Sequence, residues 1–228
     1  MSRDLGRLSA TDTVAAFRAG TLSPVEYAEA LAERAEQHAA LNALQSFDAD
    51  YLVRAVTEAA SAHPSGALAG LPVIAKDNIN TTVYPTSGGT RALLGRTPAT
   101  DAGVVRAITA AGGVIGAKAG MHELAFGITS NNAVTGAIHN PSDPTVIAGG
   151  SSGGTAAAIA AGMFPAGLGT DTGGSCRIPA ALCGVVGFRP TIERYAGDGI
   201  VPISHTRDTA GPLARTVRDI ALFDVTPG

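Results

Sequence analysis

The chain of 228 residues is 45% apolar and 15% charged, with 16 basic and 19 acidic side chains and a net charge of −3. This is a globular composition, long enough for one sizeable core or two small ones, and its charge balance offers no field for gathering nucleic acid. The two cysteines, Cys176 and Cys183, are too few for a disulfide-stapled secreted domain and lack metal-site spacing. No apolar run for a signal peptide follows residues 1–7, and none reaches the roughly 18 residues of a membrane span. These features together read as a cytoplasmic protein with reduced thiols, no membrane partner and no metal or other cofactor.

In chain order, Ser9 is positioned to cap a helix through Val14, Ala15 and Phe17 that Gly20 stops. Ser23-Pro24-Val25-Glu26 is a capping box with proline at the first helical position, opening an amphipathic helix through Tyr27, Leu31 and Ala35. Residues 49–62 read as a third helix, broken by His63-Pro64-Ser65-Gly66. The pattern then changes. Leu71-Pro72-Val73-Ile74-Ala75 is a short apolar run, hence a buried strand. Residues 101–112 read as a helix, 114–118 as a strand, 121–126 as a short helix and 155–161 as an alanine-rich helix. A strand over 165–169, a helical turn over 178–182 and a strand over 185–188 follow, and Thr216 caps a last helix through Val217, Ile220 and Leu222. Strands alternating with helices predict an α/β fold whose sheet is covered on both faces. Residues 1–66 form a helical lead-in to a core segment over 67–228, and the chain stops at Asp224-Val225-Thr226-Pro227-Gly228, just after a helix.

Two glycine-rich segments carry the chemistry. Gly149-Gly150-Ser151-Ser152-Gly153-Gly154-Thr155 precedes the alanine-rich helix, and Gly169-Thr170-Asp171-Thr172-Gly173-Gly174-Ser175-Cys176-Arg177-Ile178-Pro179 opens the next one. Glycines admit a substrate close to the backbone, and unpaired N–H groups at a helix start attract negative charge. The stretch from Thr172 through Gly173 and Gly174 to Ser175 therefore suits an oxyanion hole with Ser175 as the attacking hydroxyl. That hydroxyl needs a base. His63 and His122 lie in a helix-end loop and a short helix, and His139 and His205 in proline-rich loops. Lys76 ends the apolar strand and is the better candidate, because burial disfavours its charged form; the plain alternative is a salt-bridged or snorkelling lysine. Asp171 and Arg177 flank Ser175 and read as a bracing ion pair, or else as an ordinary surface pair. Cys176 reads as filler.

Gly70-Leu71-Pro72-Val73-Ile74-Ala75-Lys76-Asp77, then residues 149–154, then residues 169–179, occur in the order of three motifs that resemble the amidase signature family. The resemblance runs from about residue 70 to 224. It implies an amidase-signature fold with a mixed central sheet covered by helices. It also implies Lys76 as base, Ser151 as a relay held in a cis peptide bond, Ser175 as nucleophile, and the amides of Thr172, Gly173 and Gly174 on the oxyanion. Residues 204–215, Asn140-Pro141 and residues 121–127 resemble the arylacetamide-hydrolysing members, so the implied substrate is a small amide such as indole-3-acetamide or mandelamide, cleaved to acid and ammonia. Family chains run to about twice this length. The implied domain is thus the N-terminal portion of one amidase domain and an incomplete sheet, with a homo-oligomer or a missing C-terminal half as the expected partner.

Three other readings stay open. Gly150-Ser151-Ser152-Gly153-Gly154 fits the G-x-S-x-G elbow of an α/β-hydrolase esterase, with Ser152 as nucleophile, strand-like Val146-Ile147 before it and His205 downstream. The chain also fits a catalytically silent fragment, or one subunit of a split amidase.

Overall fold

The computed structural model describes residues 4–224. Residues 1–3 of the amino-terminal segment and residues 225–228 of the chain end, both singled out above, lie outside the described residues.

The first helices form where capping chemistry and apolar spacing coincide. In α1 (Ala10–Arg18) the Ser9 hydroxyl accepts from the Asp12 amide at 3.0 Å. In α2 (Pro24–Gln37) the Ser23 hydroxyl accepts from Glu26 at 3.5 Å. β1 (Leu44–Phe47) follows, and the Asp48 carboxylate caps α3 (Ala49–Ala62) through the Tyr51 amide. The chain then runs through β2 (Pro72–Lys76), α4 (Gly103–Ala110), β3 (Val114–Ala119), a small hairpin of β4 (Asn131–Asn132) and β5 (Gly136–Ala137), α5 (Gly153–Ala160), β6 (Ala166–Asp171), α6 (Arg177–Cys183), β7 (Val186–Gly187), β8 (Thr209–Ala214) and α7 (Val217–Asp224).

The main sheet has the order β1-β3-β2-β6-β8-β7. β3, β2 and β6 are parallel, while β1, β8 and β7 pair antiparallel with their neighbours. The expected mixed sheet is therefore present. Two apolar clusters cover its faces. One gathers Ile74 with residues of α2, α3, α5 and α6; the other gathers Val73 and Ala75 with residues of α1, α4 and α7. The alternation of Val73, Ile74 and Ala75 between the clusters is the two-residue period of a strand buried on both faces. Among the described residues, no helix is long and apolar enough to cross a membrane.

Three local expectations need correction. β1 was not anticipated, because four half-buried residues with no flanking turn signal resemble a loop. β8 was not anticipated either, because Gly211 and Pro212 in its middle argue against a strand. Gly211 is there because the Phe188 carbonyl oxygen lies 2.2 Å from where a Cβ would stand. Residues 121–126 form only a 3-10 turn over Glu123–Ala125, with Leu124 at φ 49° and Ala125 at φ 57°. Neighbouring segments divert the first helical bond: the Leu124 amide donates to the Gly88 carbonyl at 2.8 Å, and the Gly120 carbonyl that would have received it accepts from Gly154 at 3.1 Å.

The first described helix is locked to the last. The Thr11 amide and hydroxyl donate to Asp219 Oδ1 at 2.8 and 2.9 Å, while Asp219 Oδ2 accepts from the Thr216 amide and hydroxyl that begin α7. Arg215 donates to the carbonyls of Leu8, Gly6 and Phe164.

Backbone contact sets the seat of α5. A Cβ on Gly154 would stand 2.4 Å from the Gly120 carbonyl oxygen and 2.5 Å from that of Ala43, and neither backbone atom has a rotamer by which to yield. Gly154→Ala is therefore expected to destabilise the fold by about 1–3 kcal/mol through overpacking, read as a lower urea midpoint. An unchanged midpoint would show that α5 can lift off the sheet freely.

Candidate active site

Lys76 is the last residue of β2 and is fully buried between β3 and β6. Its Nζ shares a hydrogen bond of 2.7 Å with Ser151 Oγ and one of 2.8 Å with Thr170 Oγ1, and lies 3.5 Å from the Thr170 carbonyl. Asn78 Nδ2 also donates to Thr170 Oγ1, at 3.1 Å. All these partners of the lysine are neutral oxygens. Burial pushes Lys76 down to about 7, against the opposing pull of Cys176, Asp171 and Asp208. The salt-bridged and snorkelling alternatives fail at this position, since the amine lies inside the protein and is hydrogen-bonded to hydroxyls.

Ser151 is fully buried and follows a cis peptide bond from Gly150. The turn is packed tightly from outside: a Cβ at Gly149 would meet Pro179 at 2.8 Å, and one at Gly150 would meet Ser130 at 2.9 Å. Gly149 also sits at φ 79°, where side chains are strained. The next amide, of Ser152, donates to the Ser175 carbonyl at 3.2 Å and ties this turn to the loop after β6.

Asp171 organises that loop. It is wholly buried at the end of β6, and its two oxygens accept from Gly174 N at 2.8 Å, Cys176 N at 3.1 Å, and Arg177 Nε and Nη2 at 3.0 Å each. Arg189 adds a contact of 3.3 Å to Oδ1 and a second to the Asp171 carbonyl. Burial pulls the Asp171 carboxyl upward, but hydrogen bonds from Arg177, Cys176 and Gly174 hold it below the usual carboxylate range. The anticipated pair of Asp171 and Arg177 is thus bidentate and half-buried rather than a loose surface contact.

Ser175 is 7% exposed at the head of α6. One expectation about its loop is amended by the geometry. The Gly174 amide is already engaged by Asp171. Among the described residues, the amides of Thr172, Gly173 and Ser175 have no protein acceptor, and Gly173 is exposed with open space around it.

The elbow reading centred on Ser152 is overturned. Ser152 Oγ is buried and faces the Thr170 backbone, 3.3 Å from its carbonyl and 3.4 Å from its amide. Val146 and Ile147 form no strand, only a single bridge from Ile147 to His139. Cys176 is buried in the core, and burial pushes its thiol up to about 12, which removes it as a nucleophile.

Sequence reasoning missed Thr170, Asn78, Arg189 and Asp208. Thr170 stands inside a quoted motif, so its position was visible but its contact with Lys76 was not. Arg189 lies outside every quoted stretch, and Asp208 lies inside the 204–215 stretch, whose resemblance gave it no role; both reach the site only through the fold.

The family model described as Amidase matches residues 26–226. An indoleacetamide hydrolase of Rhizobium radiobacter is 49% identical over 203 residues, 89% of this chain and 44% of that protein. A mandelamide hydrolase of Pseudomonas putida is 41% identical, over 96% of this chain and 45% of that one. Among solved structures, native peptide amidase from Stenotrophomonas maltophilia superposes with a TM-score of 0.91 at 34% identity, covering 97% of this chain and 48% of that chain. The chain spans about half the length of the relatives it matches. A match over residues 26–226, joined to these similarities in sequence and fold, shows that the chain belongs to the Amidase family.

Proposed function

We propose that this chain cleaves a small carboxylic acid amide by a Ser-Ser-Lys relay. The observation that carries the reading is the 2.7 Å contact between a buried, uncompensated Lys76 amine and Ser151 Oγ. Neutral Lys76 draws a proton through Ser151 from the Ser175 hydroxyl, and Ser175 Oγ bonds to the amide carbon. The resulting oxyanion lies against the amides of Thr172, Gly173 and Ser175, which need no reorganisation to receive it. Ser151 returns the proton to the leaving nitrogen, the C–N bond breaks and ammonia departs. Water, deprotonated by the same relay, then hydrolyses the acyl-serine. Asp171 and Arg177 keep the Ser175 loop in place. Residues 67–228 supply all of these groups, and residues 1–66 act as a lead-in.

The substrate we favour carries an aryl or similarly apolar acyl group. The relatives' names, indoleacetamide hydrolase and mandelamide hydrolase, support this. So do apolar residues beside the Ser151 turn: Ile128 and Leu182 are 59% and 47% exposed. A Cβ at Gly149 would touch Leu182, and one at Gly150 the Ile128 backbone. A second reading, one portion of a split amidase or a silent remnant, is favoured by the half-length match alone. Labelling of Ser175 by a fluorophosphonate separates the two readings when set beside ammonia release from indole-3-acetamide, mandelamide and an aliphatic amide. Labelling with turnover supports a self-sufficient enzyme, labelling without turnover a portion that acylates but lacks acyl walls. An adduct on Ser152 or Cys176 would sink the assignment.

Two expectations rest on Lys76. Amide hydrolysis should climb as pH rises through about 7, where the amine loses its proton, and Lys76→Ala should lose roughly 10³-fold or more, as expected for a base acting within a unit. Near-normal turnover in that variant would refute the relay. The second expectation concerns stability. The folded Lys76 titrates near 7 and the unfolded one near 10.5, so between those values the unfolded chain binds more protons and stability rises with pH. Below that window both states hold the proton and the full penalty remains. Denaturation at pH 7 and pH 9 should therefore show a smaller rise in Lys76→Met than in the parent; equal slopes would mean that the amine is not desolvated.

A further inference from the structure

Asp208 lies in the 204–215 stretch that carries part of the resemblance but has no role assigned to it, and its carboxylate ends at the loop proposed to hold the oxyanion. Oδ2 accepts from the amides of Ile203 and Ser204 at 2.7 and 2.9 Å and closes the turn in which Asp208 N and Arg207 N both donate to the Ser204 carbonyl. Oδ1 does something else: it accepts from the Thr172 hydroxyl at 2.5 Å, across 36 residues of chain. Arg189 fastens the same segment a second time, donating to the Arg207 carbonyl at 2.9 Å and to Asp171 Oδ1 at 3.3 Å.

The loop after β6 is consequently held from two ends. Asp171 grips its far end at Gly174, Cys176 and Arg177. Asp208 grips its near end at the Thr172 side chain. Between the grips stand Thr172 and Gly173, whose amides have no protein acceptor among the described residues, and Gly173 is exposed, with open space where a Cβ would stand. A glycine so placed would swing freely, and an amide that swings cannot be preorganised for developing charge. A hydrogen bond from a hydroxyl to a carboxylate is about twice as strong as a neutral one, so the Thr172 contact is the restraint able to fix that peptide.

We propose that Asp208 is a positioning residue that orients the amides of Thr172 and Gly173 through the Thr172 hydroxyl. This rests on the functional reading above. The segment 189–208 is then a brace for the oxyanion cradle and not a passive connection between β7 and β8.

The test is the rate at which a fluorophosphonate labels Ser175, which asks for nucleophile and cradle in a single covalent event and needs no turnover. Direct loss of an oxyanion donor costs about 10²–10³-fold, so loss of its positioning should cost about 10- to 100-fold. Thr172→Val keeps shape and removes only the hydroxyl, leaving Asp208 its own turn; it should slow labelling by that factor at an unchanged melting temperature. Thr172→Ser should recover most of the rate, and adding Asp208→Asn, which keeps an oxygen for the Ile203 and Ser204 amides, to Thr172→Val should cost nothing further. A merely structural contact would move the melting temperature and would not separate valine from serine. Labelling of Thr172→Val at the parent rate, or additive losses in the double variant, overturns the inference and leaves the Ser175 reading intact. Failure of the parent chain to label at Ser175 at all overturns that reading, and the inference with it.

Discussion

Lys76 and Lys118 stand on neighbouring strands of one sheet, both fully buried; burial pushes both down, Lys76 to about 7 and Lys118 to about 8 against the pull of Asp77, but their partners differ. Lys118 pairs in register with Ala75 and lies on the α4 side. There it finds the Ile79 carbonyl at 2.5 Å, the Thr86 hydroxyl at 2.7 Å and the Asp77 carboxylate at 3.7 Å. Lys76 is hydrogen-bonded to hydroxyls and a carbonyl alone. Removing an ammonium from water without a counter-charge costs several kcal/mol, and the cheaper outcome is to release the proton. The surroundings of Lys76 are organised to keep that amine both dry and in reach of an oxygen.

The neighbouring ion pair serves this end indirectly. Asp77 follows Lys76 in sequence, and its carboxylate accepts from the Ser87 hydroxyl, from the Ser87 amide at 3.2 Å and from the Gly89 amide at 3.4 Å. Together with Lys118 it fixes the turn by which the chain leaves β2, so the backbone at Lys76 is anchored on both sides. On the opposite wall, Asp171 is buried as deeply but takes two arginines and two amides. Fixed negative charge and labile base are thereby kept on separate groups, at the ends of the paired parallel strands β6 and β2.

Much of this was legible beforehand, for reasons that differ by residue. α1, α2, α3 and α7 begin at Ser9, Ser23, Asp48 and Thr216, side chains whose capping chemistry is local. β2, β3 and β6 are buried on both faces and read from their apolar stretches, though β2 and β3 carry Lys76 and Lys118 and β6 ends at Thr170-Asp171. β8 was illegible because its glycine and proline answer to the Phe188 backbone, a contact absent from any window of sequence. The site divides in the same way. Lys76, Ser151 and Ser175 stand in motifs, whereas the engagement of the Gly174 amide and the reach of Asp208 to Thr172 are facts of tertiary geometry.

The lock between α1 and α7 bears on how the chain is made. Thr11 and Asp219 are separated by 208 residues, and a ribosome adding roughly 5–20 residues per second needs roughly 10–40 s to cross that distance. Throughout that interval Ala10 and Val14, both buried in the finished fold, have emerged while Ile220 and Phe223 of the same cluster have not been synthesised. Leu68, Leu71 and Val73 of that cluster come earlier, but α1 can complete its packing only with an element made long after it. The order of synthesis thus runs against the order in which this face of the sheet can close.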